Sequence, residues 1–474
     1  MAAGKYELIV VGTGFASSFF LLRALKKLDA NAKVLVLEAG RKDPHHWQMQ
    51  NYRNASIRYK DTYINQTPRK PWIYSPGYGG SSNCWWGCAP RMLPSDFEMK
   101  TKYGVAEDWP VSYNDLEEAY CDAEDGLLIS GPSDSPVDRS RPFPQPPHNI
   151  TNPDKILKKA YPDSFFVQPS ARARVATKGR APCCATGTCQ LCPINSKFTI
   201  QNELDSVYQD PRVELHLEAR ALEVMPEGNL AKGVRYLKDG REVVANGDVV
   251  VLGANAIFNP FILMKSGLTH ERLGRNLCEQ RSIGITVDLD GVDNFQGSTS
   301  GTGLGYLHYD GEHRKTRAAS LVQTLSVPRL RHEKGRWRQR MEIGFSFDNL
   351  PHPDSRITFD KSEPLKPVIH WGGDADYALK SFNMVDELVG KFTDPLPVEK
   401  IYIPEYPVQT ESHNLCTTPM GNDPSKSIVD KHLVHHKVRN LLVLGGGAFP
   451  SISPSNPTLT ISALSLWAAK HFYG

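Results

Sequence analysis

The apolar positions near the start of the chain predict three elements in quick succession. From Tyr6 the sequence reads YELIVVG, a short β-branched run expected to form a strand. GTGFASSFFLLRAL follows and reads as a Gly-rich turn opening a helix. KVLVLEAG (Lys33 to Gly40) reads as a second strand. The Leu8 to Leu22 stretch is not a secretory leader. Its basic flank is only Lys5, Gly12 and Gly14 interrupt it, and Arg23, Lys26 and Lys27 follow it. Further along, alternating apolar and polar residues in SIGITVDLDG, RQRMEIGFSFD and PVIHW predict strands of an antiparallel sheet between about 281 and 406. DYALKSFNMVDELVGKF (Asp376 to Phe392) predicts a helix packed on that sheet. Pro132 to Pro153, with seven prolines, reads as an extended surface connection, and no internal repeat is visible.

The opening strand–turn–helix–strand has the form of a dinucleotide-binding unit. Gly12 permits the tight turn, and Gly14 lets the backbone approach a pyrophosphate at the helix N-terminus. Phe15 and Ala16 begin that helix. Ser17 stands at the third glycine position, a departure expected to loosen helix–strand packing slightly. Glu38, 24 residues after Gly14, is placed to accept ribose hydroxyls. A second glycine cluster, PGYGGSSNCWWGCAPRMLPSDF, sets Gly79, Gly80, Ser81, Ser82 and Asn83 in a flexible donor-rich turn beside Trp85 and Trp86.

Composition narrows the function class. The 474 residues suffice for two or three domain-sized units, and the +3 net charge gives no electrostatic case for nucleic acid. No apolar run reaches the roughly 18 residues of a spanning helix. Four of nine cysteines (Cys183, Cys184, Cys189, Cys192) crowd into one stretch.

Together these segments resemble the glucose-methanol-choline (GMC) family of FAD-dependent oxidoreductases. GDVVVLGANAIFNPFILMKSGL resembles the family's second signature, with a helix entered through Asn259-Pro260. LGRNLCEQ matches its VGxNLxDH segment, except that Gln280 replaces the usual His. PDSRITF resembles the Pro-x-Ser-Arg strand, and ESHNLCTTPMG with residues 427–464 matches the C-terminal block. The resemblance implies an α/β Rossmann-like FAD-binding domain with an interleaved α+β substrate domain on an antiparallel sheet. Residues 1–160, 205–280 and 407–474 would form the first, 281–406 the second, and 161–204 a Cys-rich connection.

By the same resemblance, His413 takes the position of the catalytic base and Asn456 the second active-site position, a pairing nearer to pyranose oxidases and bacterial FAD glucose dehydrogenases than to glucose oxidase. A neutral histidine suits removal of a hydroxyl proton while hydride leaves for the flavin. Ala221 aligns with the residue whose backbone reads adenine. Ala254, Gly447, Ala448, Phe449, Pro457 and Thr458 complete the expected FAD contacts, with Gly445 where many members carry Asp. Cys84 falls where pyranose oxidases bond flavin through histidine, but FAD is expected to be held non-covalently. The other histidines singled out (His45, His46, His432, His435, His436) are expected to be exposed polar residues.

C-x5-C from Cys183 to Cys189, then C-x2-C to Cys192 and Pro193, resembles the segment that holds a 3Fe-4S cluster in bacterial FAD glucose dehydrogenases, whose last spacing is one residue longer. Cys183, Cys189 and Cys192 are the expected ligands and Cys184 the spare. Unclustered thiols, zinc or a disulfide remain alternatives. The expected activity is oxidation of a CH–OH group of a sugar, glycoside or polyol. Electrons would pass to an acceptor, in the relatives through a small subunit and a cytochrome subunit. An oxygen-using oxidase, a lyase on the same scaffold, or a non-catalytic electron-transfer flavoprotein are the alternatives. Location is expected to be cytoplasmic, or periplasmic by way of a partner's signal. Gln323, Gln339 and Glu342 are candidate substrate contacts.

Overall fold

The computed structural model describes residues 5–474. Its largest sheet has seven strands drawn from three distant parts of the chain. Lys5–Val11 lies in its middle, parallel to Val34–Leu37 on one side and to the second half of Arg241–Leu252 on the other. Val213–His216 extends the parallel set beyond Val34–Leu37, and Leu441–Val443 extends it beyond Arg241–Leu252. The first half of that long strand pairs instead with Leu230–Lys238, which pairs with Ala219–Glu227, all antiparallel. Val34–Leu37 and Leu8 to Val10 are buried on both faces, as continuous apolar runs in a covered parallel sheet should be. The Phe15–Ala24 and Thr458–Tyr473 helices cover it together.

A second sheet has six antiparallel strands in the order Val398–Tyr402, Arg281–Leu289, Arg340–Phe347, Ser320–Leu325, Gly301–Gly305, Phe165–Val167. Along Arg340–Phe347, Met341, Ile343, Phe345 and Phe347 are buried while the residues between them are not. The buried set packs on Tyr377, Leu388, Val389 and Phe392. The helix expected over Asp376 to Phe392 is two helices, Asp376–Phe382 and Val385–Thr393, broken at Asn383-Met384.

Two expectations need correcting here. PVIHW does not join the six-stranded sheet. Pro367–His370 pairs with Arg356–Phe359 and with Ile64–Asn65 in a separate three-stranded sheet. The helix of the second signature starts at Asn255, not at Asn259-Pro260, so Pro260 lies inside it. Proline there cannot donate to the Ala256 carbonyl. The Thr417 hydroxyl donates to that oxygen instead, at 2.5 Å, and Asn259 Oδ1 accepts from the Ala254 N–H at 2.8 Å.

Candidate active site

The glycines of the opening turn are fixed by close approach. Gly12 has φ +94°, and a Cβ there would lie 2.7 Å from the Gly253 carbonyl oxygen. A Cβ on Gly80 would lie 2.9 Å from Gly14 Cα, so the two glycine clusters meet back to back. Gly14, by contrast, has no atom within 4 Å of where its Cβ would stand, and it opens a helix with no side-chain cap and no acidic residue in its first turn. Free N–H groups at the helix start beside open space suit a pyrophosphate, so these residues fit FAD. Phe15 packs edge-on to Trp85 at 4.8 Å, and Ala16 is buried. Ser17 does not loosen the packing. It is fully buried, and Gly253 makes room for it, since a Cβ at 253 would come 2.1 Å from Ser17 Oγ.

Several expected cofactor contacts are also spent within the protein. Glu38 is buried, with Oε2 accepting from the Thr13 N–H at 3.2 Å and hydroxyl at 2.7 Å, and Oε1 from the Gly40 N–H at 2.9 Å. Gly80–Asn83 is a turn of 3-10 helix rather than a flexible loop. Ser81 Oγ accepts from the Ser75 N–H, Ser82 Oγ donates to the Gly79 carbonyl, and Asn83 Nδ2 donates to the Tyr78 carbonyl. What this turn can offer a ligand is therefore backbone and the O–H of Ser81, whose oxygen only accepts here. Cys84 Sγ lies 3.6 Å from the Ser81 carbonyl, and burial pushes its thiol up, away from the nucleophilic thiolate. Ala221 lies two residues after Ala219, whose N–H bonds the Glu38 carbonyl at 2.8 Å. Gly446–Ala448 forms another 3-10 turn after Gly445 at φ +98°, Ala254 caps its helix, and Phe449 packs on Trp109 at 4.8 Å. Pro457 and Thr458 start the last helix, again without a side-chain cap.

His413 and Asn456 are joined through one residue. Cys278 and Leu415 exchange backbone hydrogen bonds, which lays residues 278–280 against the His413 loop. The Glu279 carboxylate, ion-paired with Lys70, accepts from the His413 N–H at 3.3 Å and the Thr410 hydroxyl at 2.9 Å. Gln280 Oε1 lies 2.9 Å from His413 Nδ1, while its Nε2 donates to the Ser453 and Ser455 carbonyls at 2.8 and 3.1 Å. Ser455 precedes Asn456, so the same amide holds both chain segments. Burial pushes the His413 imidazole down to about 4, which keeps it neutral at ordinary pH. Asn456 Oδ1 accepts from Gln323 Nε2 at 3.0 Å, leaving its own Nδ2 to donate elsewhere.

Residues 168–281 match the N-terminal and residues 381–465 the C-terminal domain of the GMC oxidoreductases. It carries both domains of a GMC oxidoreductase. Over 98% of its length the chain is 24% identical to the fructose dehydrogenase large subunit of Gluconobacter japonicus, covering 97% of that protein. It is likewise 24% identical over 98% of its length to the gluconate 2-dehydrogenase flavoprotein of Pantoea cypripedii, covering 93%. Among solved structures, pyridoxine 4-oxidase from Mesorbium loti superposes with a TM-score of 0.69 at 17% identity, covering 98% of this chain and 99% of that one. Formate oxidase of Aspergillus oryzae RIB40 gives 0.66 at 15%, covering 99% and 98%. Those two establish the fold.

In the six-stranded sheet of this GMC chain, Gln323, which bonds Asn456, belongs to a row of residues on one face. Gln323 pairs with Gly344, and Gly344 with Gly284, so the three share one face. No atom lies within 4 Å of where a Cβ on either glycine would stand. The face that carries Gln323 is thus bare backbone at Gly344 and Gly284, with space above it. Glu342 shares this face but is ion-paired with Arg329, and Gln339 lies off it, its Oε1 accepting from the Gly291 N–H at 3.2 Å.

The cysteine stretch does not form the expected metal centre. Among the described residues no three His, Cys, Asp or Glu side chains are placed to share a metal ion. Cys183 Sγ lies 3.5 Å from Thr299 Oγ1, Cys184 is exposed, and Cys189 is buried. Cys192 is held by a tight turn, its Sγ accepting from the Ser196 N–H at 3.3 Å and its carbonyl from Asn195. The donor set therefore does not fit a 3Fe-4S cluster. Of the five histidines, His46 is exposed as expected and the others differ. His435 is buried, with its Nδ1 accepting from the Lys437 and Val438 N–H groups, and His45, His432 and His436 are half-buried. His45 Nε2 lies 2.8 Å from the Cys192 carbonyl.

Sequence reasoning missed Glu279 and passed over the role of Gln280. The signals were the Gln280 departure from the usual His and a second polar residue, Glu279, beside it at the end of LGRNLC, immediately before a strand.

Proposed function

We propose that this chain is an FAD-dependent dehydrogenase that oxidises a CH–OH group of an uncharged sugar, glycoside or polyol to a carbonyl. The observation that carries it is a neutral imidazole at His413, tied by one amide to the segment that presents Asn456, beside an uncharged glycine floor. FAD bound in the Gly12, Gly14 and Gly80 cradle would supply the hydride acceptor. His413 accepts the hydroxyl proton, and Asn456 Nδ2 donates to the same oxygen without competing for that proton. The bare surface at Gly284 and Gly344 leaves width for a ring.

Two full-length relatives named as dehydrogenases favour a carrier over oxygen as electron acceptor. One is a large subunit, which supports a partner: a small subunit and a cytochrome-type carrier are the proposed ones. Anaerobic addition of a panel of sugars and polyols tests the reaction. Flavin bleaching with at least one of them is expected; none bleaching it overturns the reading, and turnover with the flavin left oxidised would mean a lyase. Reoxidation of the bleached flavin should be slow with oxygen and fast with a quinone or dye.

The pH dependence follows from the imidazole. Only unprotonated His413 can accept the proton, so kcat/KM should fall on the acid side near pH 4, not near the ordinary histidine value. A pH profile of flavin reduction checks this. Filling the floor is the test of the pocket. Gly344→Val puts branched carbons into the open space, and KM for ring substrates should rise about tenfold, with less effect on short polyols.

A further inference from the structure

We propose that Gln280 is a positioning residue that fixes His413 as the Nδ1–H tautomer, so that Nε2 is the atom that takes the substrate proton. This rests on the reading of His413 as the base, and it assigns the atom and the residue that selects it.

The orientation of the Gln280 amide is set at its far end. Its Nε2 faces two carbonyl oxygens, those of Ser453 and Ser455, at 2.8 and 3.1 Å. Carbonyls only accept, so turning the amide over would set an oxygen against two oxygens and leave both unpartnered. Gln280 is 4% exposed, so water has no room to repair that arrangement. Oε1 is therefore the atom 2.9 Å from His413 Nδ1. An amide oxygen only accepts, so Nδ1 must carry the hydrogen. A neutral imidazole has one N–H, which leaves the lone pair on Nε2.

The residue type matters. The GMC segment that ends at Gln280 usually ends in histidine, a side chain that can either donate or accept and so leaves a facing imidazole free to take either tautomer. An amide anchored on two carbonyls removes that choice. In the reaction the hydroxyl O–H breaks and its proton joins Nε2, giving an imidazolium. FAD, once bound, would accept the carbinol hydrogen with the C–H electron pair as the C=O bond forms. The Nδ1–H···Oε1 bond becomes charge-assisted at that moment and strengthens. Because the same amide grips Ser453 and Ser455, it also fixes the segment bearing Asn456 relative to the base.

The test uses FAD-loaded protein labelled with 15N-histidine, with the His413 signals found by their loss in His413→Asn. Wild type should show a protonated Nδ1 and an unprotonated Nε2 at neutral pH. A protonated Nε2 would overturn the proposal, whatever the activity. Gln280→Leu should lose the single tautomer and lower the anaerobic flavin-reduction rate by roughly 10²-fold, with substrate KM little changed. In Gln280→Glu the far oxygen meets the Ser453 and Ser455 carbonyls, so the buried carboxyl should keep its proton and donate to one of them while the near oxygen still accepts from Nδ1; this variant should therefore keep the Nδ1–H tautomer and most of the rate. A purely structural role would lower activity in both variants with the tautomer unchanged, and a Gln280→Leu protein that keeps a single Nδ1–H tautomer counts against the proposal. The two readings fail separately. Retained turnover in His413→Ala removes the base but leaves the tautomer assignment standing, whereas a protonated Nε2 with inactive His413→Ala removes only the assignment.

Discussion

Replacing His413 by alanine is expected to lower the rate of flavin reduction by about 10³-fold while FAD stays bound. The cradle of Gly12, Gly14 and Gly80 is built from backbone contacts in which His413 takes no part. The loop carrying His413 is held independently of the imidazole by Glu279, Lys70 and the Cys278–Leu415 backbone pair. The variant should therefore keep its yellow colour and unfold at nearly the wild-type temperature. What it loses is a base for the hydroxyl proton, and neither the Asn456 amide nor the Gln280 amide can replace it, because an amide oxygen accepts a hydrogen bond but is far too weakly basic to take up the proton. Stopped-flow reduction under anaerobic conditions, read with the FAD absorbance at rest, separates a lost base from a lost cofactor. An unchanged rate would take the base role away from His413.

The parts of this molecule legible in its sequence are those whose physics is local. The opening unit was readable because a β-branched run, glycines at Gly12 and Gly14 and a terminal acid at Glu38 each have a local reason. Arg340–Phe347 was readable because one face is buried and every second residue is apolar. The break at Asn383-Met384 has no Gly or Pro to announce it. Pro367–His370 is four residues long, too short for its pattern to say which sheet it joins. Gln280 stood out as a substitution, yet its meaning depends on carbonyls at Ser453 and Ser455, 173 and 175 residues away. Cysteine spacing suggested a cluster, but the turn at Cys192–Asn195 aims the sulfur inward, which spacing does not encode.

Arg314→Leu is expected to be the most destabilising single change behind the site. The Arg314 guanidinium lies between Asp96 at 2.9 Å and Asp348 at 3.2 Å, and all three side chains are at most 1% exposed. Removing the cation leaves two carboxylates in a site closed to water, which costs about 3–5 kcal/mol. Asp348 can relieve part of this by protonation, since burial already pushes its carboxyl up to about 7. Asp96 is tied more tightly, because its oxygens also accept from the Leu93 N–H at 2.8 Å and the Tyr309 hydroxyl at 2.6 Å. Arg314→Leu combined with Asp348→Asn should therefore recover part of the loss, read as the denaturation midpoint of the flavin-loaded protein. In otherwise wild-type protein, Asp348 binds its proton more tightly folded than unfolded. Its contribution is fully present below about pH 4 and is lost as pH rises through about 7, so Asp348→Asn should flatten the stability profile across that window. A full-size loss on Arg314→Leu should reach the chemistry as well. Tyr309 passes the Asp96 contact to Ser455 Oγ at 2.9 Å, next to Asn456 and within the grip of Gln280. If Arg314→Leu unfolds no more readily than wild type, Asp96 and Asp348 must both take up protons once the cation is gone, and the ion triad is not what holds this part of the fold.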